Sequence, residues 1–400
     1  MQRAHFKTVN TTSARDGSAR SGNPQEPQRH PRPHGAVVTY SPAANDRPVG
    51  HQASTRKEIA RRLAALMGIA CEGEYDPLGR YDVAPYFVPS ITLTSETAAR
   101  VGIRSERDLF GGVVRYPFVA TKTITHPLVG KASRAPPGWS VEFPRRVADA
   151  VLGGFSAFAT EDAMVAGRSL LERGPVRVKL ATGIAGLGQF VAEDASALAR
   201  TLDAIDAEEM ARSGVVVEQN LVDVNTLSVG RVCVADVVMT YVGTQHMTTN
   251  NRGQPIYGGS DITVARGDFD ALLALNLSED ARLAIAQARA YDDAAMQCFD
   301  GFFASRRNYD VAQGADAAGR RRSGVLEQSW RLGGASGAEI GALEAFNADP
   351  SLRAVRAVAR EVYGEVPPLP ADAAVYFSGT DAHTGPLTKF AWTEPYADPR

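Results

Sequence analysis

The sequence contains few cysteines and no excess of either charge. Its 400 residues include three cysteines, Cys71, Cys233 and Cys298, and none of them belongs to a CxxC pair. This argues against a disulfide framework or a zinc cluster and suits a reducing compartment. The formal net charge is −2, so the chain lacks the basic field that is typical of nucleic-acid binders.

Long apolar runs are missing as well. No run approaches the roughly 20 residues needed to span a bilayer. The N-terminal residues include arginines but no apolar core of the kind that secretory signals contain. We therefore expect a cytoplasmic globular protein with no membrane or nucleic-acid partner. A chain of 400 residues is long enough for two or three domains.

Residues 1–35 have a different composition from the rest of the chain. They are rich in Arg, Ser, Pro, Gly, Gln and Asn and contain almost no large apolar residues. Such a segment cannot bury enough surface to offset the entropy lost on ordering. We expect a disordered leader, although a start codon assigned too far upstream would give the same composition. Its basic residues leave a weak contact with an anionic surface as another interpretation.

From residue 36 onward, strand and helix patterns alternate, which favours an α/β or α+β fold. The run at 54–68 has helical spacing, with Ser54 as the expected cap and Gly68 as the expected end. Further helices are predicted at 95–103, 158–174, 195–214, 278–299 and 351–364. Strands are predicted at 35–40, 82–93, twice within 108–130, and at 175–180, 189–193, 214–221, 304–314 and 322–334, with a hairpin of 226–249 and 254–267.

The run VRVKLATGIAGLGQFVAE at 176–193 places a lysine before a glycine-rich turn, with a predicted strand on each side. A phosphate-binding P-loop needs its lysine after the glycines and before a helix. A dinucleotide-binding GxGxxG motif must lead into a helix, and a protein kinase places its lysine after the glycine loop. The spacing of Lys179, Gly183, Gly186 and Gly188 excludes all three.

Two interpretations of this run remain open. Glycines allow the main chain to approach phosphate oxygens closely, and successive N–H groups form a concavity that binds anions. Lys179 would then place a compact positive charge against the same oxygens. The alternative is a tight β-turn with a lysine on the surface.

The order of features along the chain resembles the ATP-grasp superfamily. Lys122 is followed by Lys179 with its glycines, by EQNL at 218–221, by Asp310 in RRNYDV and by VLEQSWR at 325–331. The phrases YGGSD and SWRLGGASGAE further resemble an uncharacterised family of bacterial ATP-grasp-like proteins. The narrower likeness covers most of the chain beyond the leader.

The resemblance implies an α+β ATP-grasp fold in which two subdomains hold ATP and Mg²⁺ or Mn²⁺ between them. It suggests an N-terminal α/β domain at 36–120, a small lid subdomain at 121–225 and a larger C-terminal subdomain at 226–400. The implied roles are phosphate binding by Lys122, Lys179, Gly183, Gly186 and Gly188, adenine binding by Glu218, Gln219, Asn220 and Leu221, ribose binding by Asn225, metal binding by Asp310, Glu327 and Ser329, and catalysis by Lys179 and Arg331. The family usually has Asn at the third metal position, so Ser329 is a departure.

Elementary chemistry supports metal binding by the acidic pair Asp310 and Glu327. Mg²⁺ in nucleotide sites prefers one or two carboxylates together with phosphate and water oxygens. Asp310 and Glu327 lie on consecutive predicted strands, so their side chains can meet on one sheet face. Glu327, Ser329 and Arg331 alternate and therefore point to one side of their strand. A polar edge facing solvent is the alternative, but the apolar residues in the same run favour partial burial, where unpaired charges are costly.

Other residues carry weaker signals. Lys122 can contact a phosphate or be a solvated loop lysine. The polar residues Tyr257, Ser260, Asp261, Arg266, His246, Arg306 and Arg307 can bind a second substrate or form a polar hairpin face. His126 and His383 are expected to be ordinary surface or loop histidines, because no pair of histidines has the spacing of metal ligands.

The resemblance implies a ligase that activates a small-molecule carboxylate as an acylphosphate, which an amine or a thiol then captures. The glycine loop would exclude water from this intermediate. A small-molecule kinase on the same fold and an ATP-binding protein without turnover are the alternatives. The sequence leaves a homo-oligomer open.

Overall fold

The computed structural model describes residues 34–131, 133–183, 188–366 and 368–397. The predicted leader lies outside these residues except for His34 and Gly35. The His34 ring packs edge-on against Tyr86, and the Gly35 N–H donates to the carbonyl of Ala84 (3.3 Å). Defined contacts therefore begin just before the first strand, close to where the strand pattern begins in the sequence.

Helices and strands alternate along the described residues. The helices are α1 (Gly50–Met67), α2 (Ser95–Arg100), α3 (Phe143–Arg146), α4 (Thr160–Leu171), α5 (Ala195–Asp203), α6 (Ala207–Ser213), α7 (Phe269–Leu273), α8 (Glu279–Cys298) and α9 (Ser336–Ala348). The strands are β1 (Ala36–Tyr40), β2 (Ala70–Glu74), β3 (Tyr86–Pro89), β4 (Leu93–Thr94), β5 (Gly112–Val114), β6 (Gly154–Ala157), β7 (Val176–Leu180), β8 (Gln189–Ala192), β9 (Val215–Gln219), β10 (Val222–Val234), β11 (Val237–Thr249), β12 (Pro255–Arg266), β13 (Phe303–Ala304), β14 (Arg306–Ala315), β15 (Arg321–Ser329), β16 (Ala354–Tyr363), β17 (Ala374–Asp381) and β18 (Gly385–Pro395).

The N-terminal part is a small α/β layer. Strand β1 pairs in parallel with β2 and with β3, and the apolar stripe of α1, including Ile59 and Leu63, is buried in the core. The helix ends at Gly68 in the left-handed conformation (φ 67°), which confirms the predicted stop. The predicted start is wrong: α1 begins at Gly50, with Val49 and not Ser54 at the N-cap position, and the Ser54 hydroxyl donates to the Gly50 carbonyl.

The middle of the chain forms a four-stranded antiparallel sheet in the order β6-β9-β7-β8. Helices α4, α5 and α6 bury apolar residues against this sheet, including Ala163, Leu198 and Met210. In this sheet β7, which contains Lys179, lies between β8 at the edge and β9; β9 contains Glu218 and is called the hinge strand. The predicted strands of this region are therefore confirmed, and the predicted helix at 195–214 is split into α5 and α6.

The C-terminal part is built on an eight-stranded antiparallel sheet in the order β15-β14-β10-β11-β12-β16-β18-β17. Helix α8 packs on one face, where Val229, Tyr309 and Val311 are buried. Helices α9 and α1 pack on the other face, over Tyr241 and Ile262. The long β14 lies beside the edge strand β15, so residues of both strands can project toward the four-stranded sheet. Within the described residues, no helix is long and apolar enough to cross a membrane.

Three predicted elements differ from the structure. The segment predicted as a helix at 351–364 is strand β16, because Val355, Ala357 and Ala359 alternate into the core and this two-residue period overrides the helix propensity of alanine and arginine. The second strand predicted within 108–130 is replaced by two 3₁₀ turns, Pro117–Ala120 and Lys122–Ile124.

The third difference is an extra turn inside the predicted hairpin. Strands β10 and β11 are joined at Ala235 and Asp236, whose φ angles are 48° and 64°. Positive φ at both central residues is the geometry of a tight two-residue turn. The sequence gives little sign of it, because alanine rarely adopts this conformation.

The N-terminus of α1 is fastened by the carboxylate of Asp381 at the end of β17. This carboxylate accepts bonds from the backbone N–H groups of His51 (2.8 Å), His383 (2.9 Å) and Thr384 (3.0 Å). These three bonds hold the pKa of Asp381 well below its usual range. A Cβ at Gly50 would lie 1.9 Å from Asp381 Oδ2, so the close approach requires glycine there.

We predict that Asp381→Ala lowers the midpoint of thermal unfolding at pH 7 by several degrees. The pKa of this group is lower in the folded than in the unfolded protein, so its contribution to stability is fully present above about pH 4 and is lost as the pH falls through the folded value. The difference between parent and variant should therefore shrink in strongly acidic buffer. A difference that is constant with pH would show that the carboxylate charge is not involved.

Candidate functional site

The two acidic residues of the predicted metal site face each other across neighbouring strands. Asp310 on β14 and Glu327 on β15 are direct partners in the antiparallel register. The next paired residues are Val311 and Val325, so Leu326 is the extra residue of a β-bulge. A bulge bends the strand locally and re-aims its side chains. The local chain geometry therefore places two carboxylates side by side at the edge of the large sheet.

The Asp310 carboxylate is held on one side by two amide groups. Its Oδ1 accepts from Gln245 Nε2 and from Asn308 Nδ2, both at 2.9 Å. Burial, followed by the negative charge of Glu327, raises the pKa of Asp310 to about 6, although the two amides and Arg306 oppose this shift. Two carboxylates in such proximity repel each other, and a divalent cation between them would remove the repulsion.

Lys122 is buried beside this acidic pair. Its side chain is 3% exposed, and Nζ lies 2.8 Å from Glu327 Oε2. The same ammonium group donates to the carbonyl of Gly183 at 2.8 Å. Lys122 is therefore not a solvated loop lysine, and it joins Gly183, at the start of the glycine turn, to Glu327 of β15.

Lys179 lies in a second buried charge cluster. Its Nζ is 2.8 Å from Glu218 Oε1, and the two side chains are 2% and 1% exposed. It also contacts the carbonyl of Leu326, at 3.4 Å, which is the bulged residue next to Glu327. Burial would raise the pKa of Glu218, but Lys179 and His126 together lower it to about 2. Glu218 therefore remains ionised and compensates the charge of the lysine.

His126 is the third member of this cluster. It lies in a loop, as predicted, but it is buried and not on the surface. Its ring is 1% exposed, and Nε2 lies 3.1 Å from Glu218 Oε2. Burial lowers the pKa of His126, against the opposing effect of Glu218. A Cβ at Gly154 would lie 2.9 Å from the ring, so that glycine leaves room for the histidine. No sequence pattern predicts this contact, which joins residues 92 positions apart.

The strand after Glu218 lies next to a small apolar cluster. Leu152, Leu221 and Ala312 are buried together, with Leu326 packed against them. The N–H groups of Gln219 and Asn220 donate to the carbonyls of residues 153 and 175 (2.8 and 3.1 Å). The Asn220 side chain accepts from Arg177 at 2.7 Å. Four aliphatic side chains thus adjoin both the predicted adenine strand and the acidic pair.

The remaining predicted nucleotide contacts fall in different places. Gly188 has a φ of 71°, and its carbonyl accepts from the N–H of Leu180 (2.9 Å), so it closes the β7–β8 turn on the side opposite Gly183. Gly186 lies outside the described residues. Asn225 is exposed on β10, opposite Gln313. Ser228 of the same strand pairs with Asp310. Side chains alternate between the two faces of a strand, and Asn225 is an odd number of residues from Ser228, so Asn225 lies on the face opposite Asp310.

Ser329 and Arg331 leave the end of β15 beside a buried arginine. The Ser329 hydroxyl accepts from Arg306 Nη1 at 3.3 Å. Arg331 is partly buried, and its Nη1 donates to the carbonyl of Leu332 at 2.9 Å. Burial, with the nearby charge of Arg306, lowers the pKa of Arg331, while Glu327 and Asp310 oppose this effect. Arg331 therefore brings a positive charge close to the acidic pair.

The residues considered for a second substrate do not form one group. Tyr257 and Ser260 bond to each other (2.7 Å), and Ser260 lies opposite Gln245 on the Asp310 face. Asp261 lies on the other face, paired with His246 (3.3 Å). The rest are committed to structural contacts: Arg266 to the Leu352 carbonyl, Arg306 to Glu339 and Arg307 to Asp292. Sequence reasoning missed Gln245 and Asn308, although Asn308 was detectable because it precedes Asp310 by two residues and so shares its face.

The acidic side chains of the site supply part of the oxygen donors that a bound metal ion needs. Among the described residues, no group of three or more His, Cys, Asp or Glu side chains could hold a metal ion by itself. A pair of carboxylates with space for phosphate oxygens is instead the usual protein share of a magnesium–nucleotide site. The facing pair of Asp310 and Glu327 fits this requirement.

Comparison with known proteins gives a family and a fold. A family described as "Protein of unknown function (DUF3182)" matches residues 38–391, and no curated protein matches the chain. The structure is similar to biotin carboxylase from Campylobacter jejuni in complex with β,γ-ATP, with 12% identity and a TM-score of 0.51 over 89% of this chain and 87% of that chain. It is also similar to the biotin carboxylase domain of 2-oxoglutarate carboxylase from Hydrogenobacter thermophilus, with 12% identity and a TM-score of 0.54 over 90% and 86%. Both have the ATP-grasp fold, and this chain has it as well.

We predict that Asp310→Asn stabilises the ligand-free protein at pH 8, by on the order of 1–3 kcal/mol, because it removes a buried negative charge facing Glu327. The folded pKa of Asp310 is raised, so the stability it contributes is fully present below about pH 4 and is lost as the pH rises through about 6. The gain from the substitution should therefore vanish near pH 4. Urea unfolding at several pH values measures it.

Asp270→Asn is the matched control, since Asp270 is 80% exposed in its ion pair with Arg289. It should leave the free energy of unfolding nearly unchanged at every pH. A destabilised Asp310→Asn variant at pH 8 would contradict the repulsion between the two carboxylates.

Proposed function

The chain belongs to the family described as "Protein of unknown function (DUF3182)", and we propose that this member is an ATP- and magnesium-dependent ligase. It would activate a carboxylate as an acylphosphate, which an amine or a thiol then captures. The general ligase class is supported by the ATP-grasp fold, and the Hydrogenobacter protein of the same fold holds MgADP, ADP and bicarbonate. The individual roles below are proposals from the geometry of this chain.

One observation carries the proposal: two buried lysines from different parts of the chain contact two adjacent residues of β15. Lys179 Nζ contacts the carbonyl of Leu326 (3.4 Å), and Lys122 Nζ contacts the carboxylate of Glu327 (2.8 Å). Glu327 in turn faces Asp310. Cations and carboxylates at such short range are what a magnesium triphosphate requires, because the phosphates need the cations and the metal needs the carboxylates.

Lys122 is suited to exchange partners when a nucleotide binds. In the ligand-free protein it compensates the charge of Glu327. A metal ion on Glu327 would replace that compensation, and the ammonium group would then be available to a phosphate oxygen. Lys179 differs from it, because its position is fixed by the ion pair with Glu218, whose other carboxylate oxygen contacts His126. It can donate to a phosphate without losing its buried ion pair.

The base of the nucleotide can lie on the apolar cluster beside the hinge strand. Leu152, Leu221, Ala312 and Leu326 form an aliphatic cluster, and Leu326 is the residue next to Glu327. A planar aromatic ring buried there would gain the hydrophobic free energy of the covered area. Leu326 would serve both parts of the nucleotide, because its side chain joins the cluster and its carbonyl contacts Lys179.

We propose that Asp310 and Glu327 hold the metal, which when bound would neutralise charge on the transferring phosphate. Two amides occupy Asp310 Oδ1, which leaves Oδ2 for the cation. Ser329 is less suited than the sequence suggests, because its hydroxyl already faces the Arg306 guanidinium. Arg331 carries a positive charge near the acidic pair without an ion-pair partner among the described residues, so it is the group we assign to the transferring phosphoryl.

The proposed reaction has two steps. An oxygen of the substrate carboxylate attacks the γ-phosphorus, and ADP leaves. The amine or thiol then attacks the acyl carbon, and inorganic phosphate leaves. The residues of the site would act by positioning and by charge neutralisation, which supply most of the catalysis in phosphoryl transfer.

We predict that Lys179→Ala weakens ATP binding in the presence of Mg²⁺ by about 10- to 100-fold, because it removes a charged hydrogen bond to phosphate. Asp310→Asn and Glu327→Gln should bind ATP with an affinity that no longer depends on Mg²⁺. Titration calorimetry with and without Mg²⁺ measures both effects. Lys57→Ala, a change of an exposed lysine on α1, should bind as the parent does.

Unchanged affinity and unchanged Mg²⁺ dependence in all three site variants would defeat the proposal. If Lys57→Ala weakened binding as much as Lys179→Ala, the effect of Lys179 would be a loss of general positive charge. The proposal requires a specific phosphate contact instead.

We further predict that the protein, Mg²⁺, ATP and fractions of cell metabolites together yield ADP, inorganic phosphate and a condensation product that contains two metabolites. Mass spectrometry of the reaction mixture identifies the product, and the Glu327→Gln protein serves as the control. ADP with a stable phosphoester and no free phosphate would identify a kinase. Nucleotide binding without turnover in every fraction would identify a binding protein.

A further inference from the structure

A continuous set of buried polar contacts runs from Asp310 into the interior of the large sheet. Asn308 donates to Asp310 Oδ1 at 2.9 Å. The Tyr241 hydroxyl on β11 is shared between Asn308 Oδ1 (2.9 Å) and Glu339 Oε1 (2.5 Å). Asn308 is 7% exposed, and Tyr241 and Glu339 are fully buried. The orientation of the Asn308 amide is thereby fixed, with its N–H toward the acidic pair.

Further buried contacts link Glu339 to Ser329 and Arg331 at the C-terminal end of β15. Glu339, in the first turn of α9, accepts from Arg306 Nε and Nη2 at 2.8–3.1 Å. The remaining nitrogen of this guanidinium, Nη1, donates to the carbonyl and hydroxyl of Ser329 (3.1 and 3.3 Å) and to the carbonyl of Arg331. Arg306 is 1% exposed. One buried arginine therefore connects Glu339 with Ser329, the last residue of β15, and with Arg331 just after it.

A second cluster of the same composition lies on the opposite face of the sheet. Arg307 forms an ion pair with Asp292 of α8 at 2.9 Å, and the Tyr309 hydroxyl donates to the same carboxylate at 2.5 Å. These residues alternate with Arg306, Asn308 and Asp310 along β14, so they project away from the acidic pair. Both clusters contain an arginine, a carboxylate and a tyrosine. Only the first one bonds to Asp310, Ser329 and Arg331, whereas the second one bonds to Trp330, whose Nε1 donates to the Tyr309 hydroxyl at 3.3 Å.

Burying an ion pair rarely adds net stability, because the loss of hydration offsets the attraction. Its best supported benefit is a fixed arrangement of the groups around it. The planar guanidinium of arginine suits this purpose, since its five N–H groups can bind a carboxylate and several carbonyls at once. In the first cluster, Arg306 binds the Glu339 carboxylate and two backbone carbonyls. It lies near Asp310 and Arg331, whose positions would matter for binding a metal and a phosphate.

We propose that Tyr241, Asn308, Glu339 and Arg306 form a positioning network that orients Asp310 toward the metal and Arg331 toward the phosphate. This inference rests on the proposed function, because it assigns the network to the same magnesium–nucleotide site. The four residues act through Asp310 and Arg331 and do not themselves touch a ligand. Asn308 of this network and Gln245 both donate to Asp310 Oδ1, while the other oxygen of Asp310 has no donor among the described residues.

The test compares matched tyrosine variants in the full-length chain. Tyr241→Phe removes the shared hydroxyl of the first cluster, and Tyr309→Phe removes the equivalent hydroxyl of the second cluster. Both tyrosines are 0% exposed, so both variants lose a buried hydrogen bond and should unfold at lower temperature. The deciding measurement is the Mg²⁺ concentration that gives half of the maximal ATP affinity in titration calorimetry.

We expect Tyr241→Phe to raise this Mg²⁺ concentration by about tenfold and Tyr309→Phe to change it less than twofold. Asn308→Ala should raise the Mg²⁺ concentration to a similar extent. Tyr241 keeps its bond to Glu339 in the Asn308→Ala variant, so this variant carries the test if Tyr241→Phe does not fold. Thermal unfolding reports the structural cost of each change separately. Equal Mg²⁺ requirements in Asn308→Ala, Tyr241→Phe and Tyr309→Phe would overturn the positioning role.

The parent protein distinguishes this failure from a failure of the proposed function. If the parent binds ATP with a clear Mg²⁺ dependence and the variants match the Tyr309→Phe control, the positioning network alone is wrong. If the parent shows no Mg²⁺-dependent ATP binding, the proposed function fails, and the network assigned to its site fails with it.

Discussion

The ion pair between Lys122 and Glu327 joins the parts of the molecule on which the candidate site depends. Lys122 Nζ lies 2.8 Å from the Glu327 carboxylate and 2.8 Å from the Gly183 carbonyl, so it contacts the large sheet and the glycine turn together. Lys179, on the strand before that turn, reaches the carbonyl of Leu326. The four-stranded and the eight-stranded sheet come from distant parts of the sequence, and charged groups hold them together at Leu326 and Glu327 of β15. Such an arrangement is costly unless the charges are paired, and each buried lysine has a carboxylate partner.

Strand register then determines the chemistry at this position. The antiparallel pairing of β14 and β15 places Asp310 opposite Glu327, and the bulge at Leu326 follows directly. A shift of one residue would turn either carboxylate to the opposite face. Burial, followed by the negative charge of Glu327, raises the pKa of Asp310 to about 6, so the ionised carboxylate of Asp310 is unfavourable in the ligand-free protein. A site that is destabilised without its ligand and satisfied with it is common where function requires binding of a cation.

The sequence predicted much of this fold because its local patterns agree with the final structure. Alternation in the runs around Asp310 and Glu327 indicated two strands with their acids on one face, and the apolar neighbours of Lys179 indicated a strand. The prediction failed where tertiary burial overrides propensity, as in β16, whose alanines and arginines are typical of a helix. It also failed for pairings across long sequence separations, such as His126 with Glu218 or Arg306 with Glu339. Single-sequence patterns hold no information on such partners, because any buried charge can be satisfied by many residues.

The most direct measurement is a crystal structure of the protein with Mn²⁺ and a non-hydrolysable ATP analogue, in which anomalous scattering locates the metal. The account predicts a manganese peak between the carboxylates of Asp310 and Glu327, with the triphosphate next to the ammonium groups of Lys122 and Lys179 and the base against Leu221 and Leu326. Metal and nucleotide bound on another surface, with the Lys122–Glu327 pair intact, would contradict it.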